Sequence, residues 1–255
     1  MDLPRFGLGT WMMKDEDVLS AIPTAYKLGY RLFDCAQAYD NEEALGKAIK
    51  GLDRGSVFLS TKVAAEIKSY DGAKKSIEES LRKLDTPYID LLLIHAPAPW
   101  AIMYDPNRGD FHQENLEVYK AMEEAVREGK VAHIGVSNFS IADLENILAH
   151  CSIKPYVNQI CCHAHNVDRD LLEFCKGKGI KIEAYSPLGH GKLLSDECLQ
   201  KMAKEHGVPL TTLAMSFLAQ IGTTPICKAT SEEHLRENIP ADLDLSADEV
   251  FDLLS

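Results

Sequence analysis

Four polar side chains stand at, or just beyond, the ends of three successive apolar runs. "RLFD" closes on Asp34, and Tyr39 follows five residues later in "FDCAQAYDNE". "VFLSTK" carries Lys62 and "IDLLLIH" closes on His95. Taken singly, each has an ordinary explanation: Asp34 a helix cap, Tyr39 core packing, Lys62 a solvated strand end, His95 a hydrogen-bonded structural residue. Polar groups ending so many apolar strands are costly unless paired, and together these four have the makings of a proton-delivery site. A free tyrosine titrates near about 10, too high for easy donation at neutral pH. A neighbouring ammonium lowers that value by favouring the phenolate. A carboxylate beside the ammonium keeps it charged and in place. A histidine orients a carbonyl oxygen or shares in delivering the proton. Asp34, Tyr39, Lys62 and His95 would then protonate a carbonyl oxygen while something else attacks its carbon. No serine or cysteine nucleophile with a matched base is evident, so the missing reactant is a hydride, which implies a nicotinamide cofactor.

Such a site needs strands that end on one rim. The chain offers β-rich runs at 5–10, 31–36, 57–63, 89–95, 131–138, 156–162, 181–188 and 224–229. Several are near-continuous apolar runs, as parallel strands covered on both faces require. Helical periodicity lies between them. Residues 71–84 place Ala73, Ile77, Ser80, Leu81 and Leu84 on one face; 115–130 stop at Gly129; 168–179 stop at Gly177 and Gly179. This alternation predicts an α/β fold, a single-domain (β/α)8 TIM barrel over residues 1–255, with its chemistry at the C-terminal rim. A doubly wound open sheet is the competing architecture. It wants a G-x-G-x-x-G turn after an early strand, and "GLGTW" does not supply one.

The charge balance, 27 basic against 39 acidic residues or −12, argues against nucleic acid or an anionic membrane as partner, though a local basic pocket for a phosphate remains compatible with it. No apolar run reaches the roughly 18 residues of a membrane span, and "MDLPRFGLGTW" has no secretory pattern. Seven scattered cysteines suit free thiols in a reducing cytoplasm. The expectation is a cytoplasmic monomer acting on a small molecule.

The blocks "GTW", "GYRLFDCAQAYDNEEALGKAI", "VFLSTKV", "YIDLLLIHAP", "EGKVAHIGVSNF", "YVNQ" and "GIKIEAYSPLGHG", in that order, closely resemble the aldo-keto reductase superfamily. The chain is most similar to the bacterial branch containing 2,5-diketo-gluconate and methylglyoxal reductases. The resemblance implies a reductase of aldehydes and ketones with Tyr39 as proton donor and Asp34, Lys62 and His95 as its partners. It implies NADP(H), with NAD(H) also used, lying extended across the barrel mouth. Ser137, Asn138 and Gln159 match residues holding the nicotinamide carboxamide, and Tyr185 the ring that stacks on it. Ser186 and Leu188 match the pyrophosphate loop. Lys228, Thr230, His234, Glu237 and Asn238 fall in the adenosine-phosphate segment.

The departures carry their own expectations. The usual "KS" is Lys228-Ala229 here, and His234 stands at the common arginine position. Histidine is a weaker, pH-dependent substitute for a guanidinium fork, so a reduced preference for NADP and measurable use of NADH are expected. Ala96 replaces an aromatic wall in "HAP", and a tryptophan common after "TK" is absent. Trp11 and Trp100 remain as walls of the substrate pocket with Tyr39, His95 and Ala96, and Met12 is a neighbour. Fewer aromatics imply a wider, less hydrophobic pocket. The ending "SADEVFDLLS" lacks a long capping loop, which points to broad carbonyl substrates.

"CCHAH" (161–165) has metal-ligand residue types. Adjacent strand residues face opposite ways, and no second pair completes a zinc site, so no metal is expected. Two other functions stay open. One is a cofactor-binding redox sensor or scaffold with little turnover. The other is a barrel hydrolase using Asp34 and His95 with a metal, which would be sensitive to chelators.

Overall fold

A computed structural model describes residues 1–254. Eight parallel strands close into a barrel in chain order: β1 (Gly7–Gly9), β2 (Leu32–Asp34), β3 (Phe58–Val63), β4 (Ile89–Ile94), β5 (Val131–Ser137), β6 (Val157–Cys161), β7 (Lys181–Tyr185) and β8 (Thr223–Cys227). Helices run outside them: α1 (Asp15–Lys27), α2 (Glu42–Ile49), α3 (Tyr70–Leu84), α4 (His112–Arg127), α5 (Ile141–His150) and α6 (Arg169–Lys178), then α7 (Glu197–His206), α8 (Leu210–Gln220), α9 (Glu232–Glu237) and α10 (Ala247–Leu254). This is the expected TIM barrel. Among the described residues no helix is long and apolar enough to cross a membrane.

Period-two alternation decides what fills the barrel. Leu32, Phe58, Leu91, Leu93, Val157 and Ile226 form a buried cluster inside it, separate from the larger one joining barrel to helices. Two residues further along each strand, the inward positions turn polar. Asp34 follows Leu32, Ser60 and then Lys62 follow Phe58, His95 follows Leu93, Gln159 follows Val157, and Lys228 follows Ile226. An apolar plug thus supports a polar rim. Two glycines make room for the plug. A Cβ on Gly7 would sit 2.6 Å from Leu32 Cγ, and one on Gly135 would sit 2.4 Å from the Val157 carbonyl.

The helices follow local signals. α3 buries Ala73, Ile77, Ser80 and Leu84, leaves Leu81 half-covered, and is capped by Ser69 accepting from Gly72 N. Ser140 and Asp143 form a reciprocal capping box on α5. α6 starts on an Asp168 cap and runs through Gly177; only Gly179, at φ +66°, stops it. β7 ends at Tyr185 rather than 188, because Ser186 has φ +53° and Pro187 follows, and neither continues a ladder.

Candidate active site

Asp34 closes β2 and Lys62 stands one residue before the end of β3, both facing inward. Lys62 Nζ donates to Asp34 Oδ1 (2.7 Å) and Oδ2 (2.6 Å) and to the Cys35 carbonyl (2.8 Å), so all three ammonium protons are engaged. Lys62 is wholly buried and Asp34 nearly so. Burial alone pulls the ammonium toward neutrality, but Asp34, Tyr39 and the hydrogen bonds outweigh it and hold Lys62 above an ordinary lysine. The ammonium is therefore charged.

Tyr39 ends a short 3-10 turn (Gln37–Tyr39), and Asp40 at φ +54° sends the chain on into α2. This excursion brings the ring over the barrel mouth, 5.0 Å from Lys62 Nζ at its centroid. Tyr39 Oη lies 3.5 Å from His95 Nε2, at the outer limit of a hydrogen bond. Trp100 meets the His95 ring edge-on at 5.2 Å. Burial, with Lys62 second, drops the imidazole pKa to about 3, so His95 is neutral. For Tyr39 the sequence-based expectation is reversed. Burial raises its pKa more than Lys62 lowers it, so the resting phenol keeps its proton.

The rest of the rim is a hydrogen-bonded frame around a cavity of about 900 Å3. Asn138 Nδ2 donates to the His95 carbonyl (3.1 Å) and Ser137 Oγ (3.0 Å), and Asn138 Oδ1 accepts from Tyr185 Oη (2.7 Å). Ser137 Oγ donates to the Gln159 carbonyl (2.9 Å). Gln159 Nε2 donates to Asp34 Oδ1 (3.0 Å) and Glu183 Oε2 (2.7 Å). Asn138 and Ser186 both sit at positive φ, +62° and +53°, a conformation costly for residues with side chains and common at functional sites. These bonds use up the donors. The oxygens of Gln159 and Asn138 are left with acceptor capacity, matched to the NH2 of a carboxamide. Tyr185 is held by its hydroxyl with its ring against the same cavity.

Ser137, Asn138, Gln159, Tyr185, Ser186, Leu188 and Lys228 line this cavity together with Asp34, Tyr39, His95, Trp11 and Trp100. Lys62 lies just behind. Ala96 is buried and does not form the wall; its carbonyl accepts from Lys68 Nζ (2.9 Å). Thr230, His234, Glu237 and Asn238 lie past β8 on the α9 segment, outside the cavity. Arg236 is paired with Glu232 at 2.6 Å. Of the "CCHAH" residues, Cys162 is in the core, His163 Nδ1 bonds the Ala164 carbonyl, and His165 approaches Asp196. Among the described residues no three His, Cys, Asp or Glu side chains are grouped to hold a metal.

Sequence reasoning missed Glu183, Tyr104 and His190. Glu183 was findable, since it stands two residues before Tyr185 and so shares its inward face. Tyr104 and His190 come from loops, where no period marks direction. With Trp11, Met12 and Trp100 they make the cavity largely apolar and aromatic. Loop residues thus supply rings that strand-end motifs do not count.

The sequence profile described as "Aldo/keto reductase family" matches residues 5–253. The chain belongs to the aldo/keto reductase family. It is 36% identical over 253 residues to a methylglyoxal reductase, DkgB, of Salmonella typhi, covering 98% of this chain and 91% of that protein. It is 34% identical over 254 residues to a glyoxal reductase of Bacillus subtilis, covering 98% and 87%. An aldo-keto reductase of Bombyx mori, solved in complex with NADP, superposes with a TM-score of 0.88 at 29% identity over 99% of this chain and 88% of that one. As an aldo/keto reductase of the bacterial branch, the protein is an oxidoreductase acting on carbonyl compounds. The acceptor face formed by Gln159 and Asn138, with the fixed Tyr185 ring beside it, fits the nicotinamide cofactors of the family.

Proposed function

We propose that the protein reduces aldehydes and ketones to alcohols with NADPH as first-choice cofactor and NADH as a usable second, with Tyr39 giving the proton. The observation that carries this reading is the buried Lys62–Asp34 pair beneath Tyr39, with neutral His95 3.5 Å from the phenol; Asp34, Tyr39 and His95 open on one cavity and Lys62 lies just behind it. When bound, the nicotinamide supplies the hydride to the carbonyl carbon.

Everything else belongs to the chain. The Tyr39 hydroxyl donates to the substrate oxygen, and its proton is held until that oxygen becomes basic. Lys62 then faces the phenolate at close range in a site screened from water, which stabilises the charge as it develops. Asp34 keeps the ammonium aimed, and Gln159 and Ser60 Oγ hold Asp34 in turn. His95, being neutral, orients the carbonyl without competing for the proton. Ser137, Asn138 and Gln159 hold the carboxamide, Tyr185 the ring, Ser186 and Leu188 the pyrophosphate. Lys228, Thr230, His234, Glu237 and Asn238 lie toward the adenosine end. The free thiols of all the cysteines support a reducing, cytoplasmic setting, and the protein is read as a monomer.

The test is cofactor oxidation with 4-nitrobenzaldehyde, methylglyoxal and a diketone, comparing wild type with Tyr39→Phe. Turnover by wild type and its loss in the variant are expected. Equal inertness of two proteins that both bind NADPH would favour the sensor reading instead.

A further inference from the structure

Glu183 is a buried acidic side chain in the barrel that the proposed chemistry does not use. It is wholly buried, and among the described residues its Oε1 has no hydrogen-bond partner. Burial first, and then the charge on Asp34, push its carboxyl well above the usual carboxylate range. A purely structural position of this kind is filled at lower free energy by an apolar residue.

Its one side-chain bond shows what it does. Glu183 and Gln159 are direct register partners across β6 and β7. Gln159 Nε2 has two protons; Glu183 Oε2 takes one at 2.7 Å and Asp34 Oδ1 the other at 3.0 Å. Asp34 alone would leave the amide hinged on a single bond, and that carboxylate oxygen is already shared with Lys62 and Ser60. With both grips the amide plane cannot swing. Turning it over would set Gln159 Oε1 against the Asp34 carboxylate. Among the described residues Gln159 Oε1 accepts no hydrogen bond from a side chain or backbone, and Gln159 lines the cavity.

We infer that Glu183 is a positioning residue: with Asp34 it clamps the Gln159 amide so that the carbonyl oxygen, not the NH2, meets a bound carboxamide. This rests on the barrel mouth being the nicotinamide site. The clamp turns Gln159 from a group that can present either end into a fixed acceptor. It also ties cofactor recognition to the proton-delivery pair, since Asp34 serves both.

Two measurements test it. Cofactor affinity is read by fluorescence titration in wild type, Glu183→Gln and Glu183→Leu. The Glu183→Gln variant keeps an acceptor for Gln159 Nε2, so its Kd is expected to stay near wild type. The Glu183→Leu variant has none, and its Kd is expected to rise roughly tenfold, about 1.4 kcal/mol, with kcat at saturating cofactor changed much less. Wild-type affinity in a folded Glu183→Leu protein would overturn the inference. The second readout needs no cofactor and no variant that must fold: the side-chain NH2 of Gln159 in the free wild-type protein, observed by nitrogen-correlated NMR. Two distinct protons protected from water are expected, and fast exchange like that of a free glutamine would overturn the clamp. Failure of wild type to bind any nicotinamide cofactor would sink the proposed function instead, and the NMR result would still decide the orientation of Gln159.

Discussion

Lys62 Nζ reaches both carboxylate oxygens of Asp34, at 2.7 and 2.6 Å, from a position with no solvent exposure. Removing one member of such a pair leaves the other charge buried and unmatched, at about 3–5 kcal/mol. Lys62→Met and Asp34→Asn are each expected to lose stability on that scale. The double variant is expected to lose clearly less than the sum. Urea unfolding of all four proteins measures the coupling, and additive losses would mean that the pair is not a structural unit.

Tyr39→Phe keeps the ring beside Lys62 and His95 and removes only the hydroxyl. Its kcat is expected to fall by about 10²–10⁴, the usual contribution of a positioned general acid, with cofactor affinity nearly unchanged. Steady-state rates and a binding titration on one preparation check both halves. A variant retaining most of its rate would place the proton source elsewhere.

His95 makes a pH prediction with a definite sign. Its folded pKa of about 3 lies below the 6.5 of an unperturbed histidine. The unfolded chain therefore takes up a proton first as pH falls, so the stability this group contributes is present above about 6.5 and is lost on the way down toward about 3. Thermal unfolding across that window is expected to show a steeper decline in wild type than in His95→Gln. Identical slopes would refute a buried neutral imidazole.

The proposed cofactor preference turns on residues beyond β8. Ala229 has no hydroxyl, His234 is exposed, and Arg236 is occupied with Glu232. The ratio of kcat/KM for NADPH over NADH is expected to stay below roughly 10³, about 4 kcal/mol. Ala229→Ser combined with His234→Arg is expected to raise it. A wild-type ratio above that bound would show that Lys228 and Thr230 suffice for the phosphate.

What could be read in the sequence was whatever repeats. The strands came through because apolar runs recur with helices between them. Asp34, Lys62 and His95 could be singled out because they stand where those runs stop, and the structure brings them together with Tyr39. The direction of the Tyr39 pKa did not, because a sequence shows that an ammonium is near but not how dry the ring is. Glu183 was passed over because one acidic residue in "KIEAYSPL" looks like a solvated strand face until its neighbour Tyr185 is known to point inward. Tyr104 and His190 had no signal at all, since their loops carry no period from which direction can be read.

The split between strand ends and loops has an evolutionary consequence. Asp34, Lys62 and His95 are anchored at the ends of barrel strands, whereas Trp11, Met12, Trp100, Tyr104 and His190 hang on connecting segments. Under the proposed function, the groups that would deliver the proton and the walls that would choose the substrate therefore sit on different parts of the chain. Mutation can redraw the walls repeatedly while the reaction itself stays intact, so one ancestral scaffold can yield descendants with unlike diets. A segment exchange between this protein and a relative, limited to residues 97–111, would carry the donor's substrate preference across and leave proton delivery with the host.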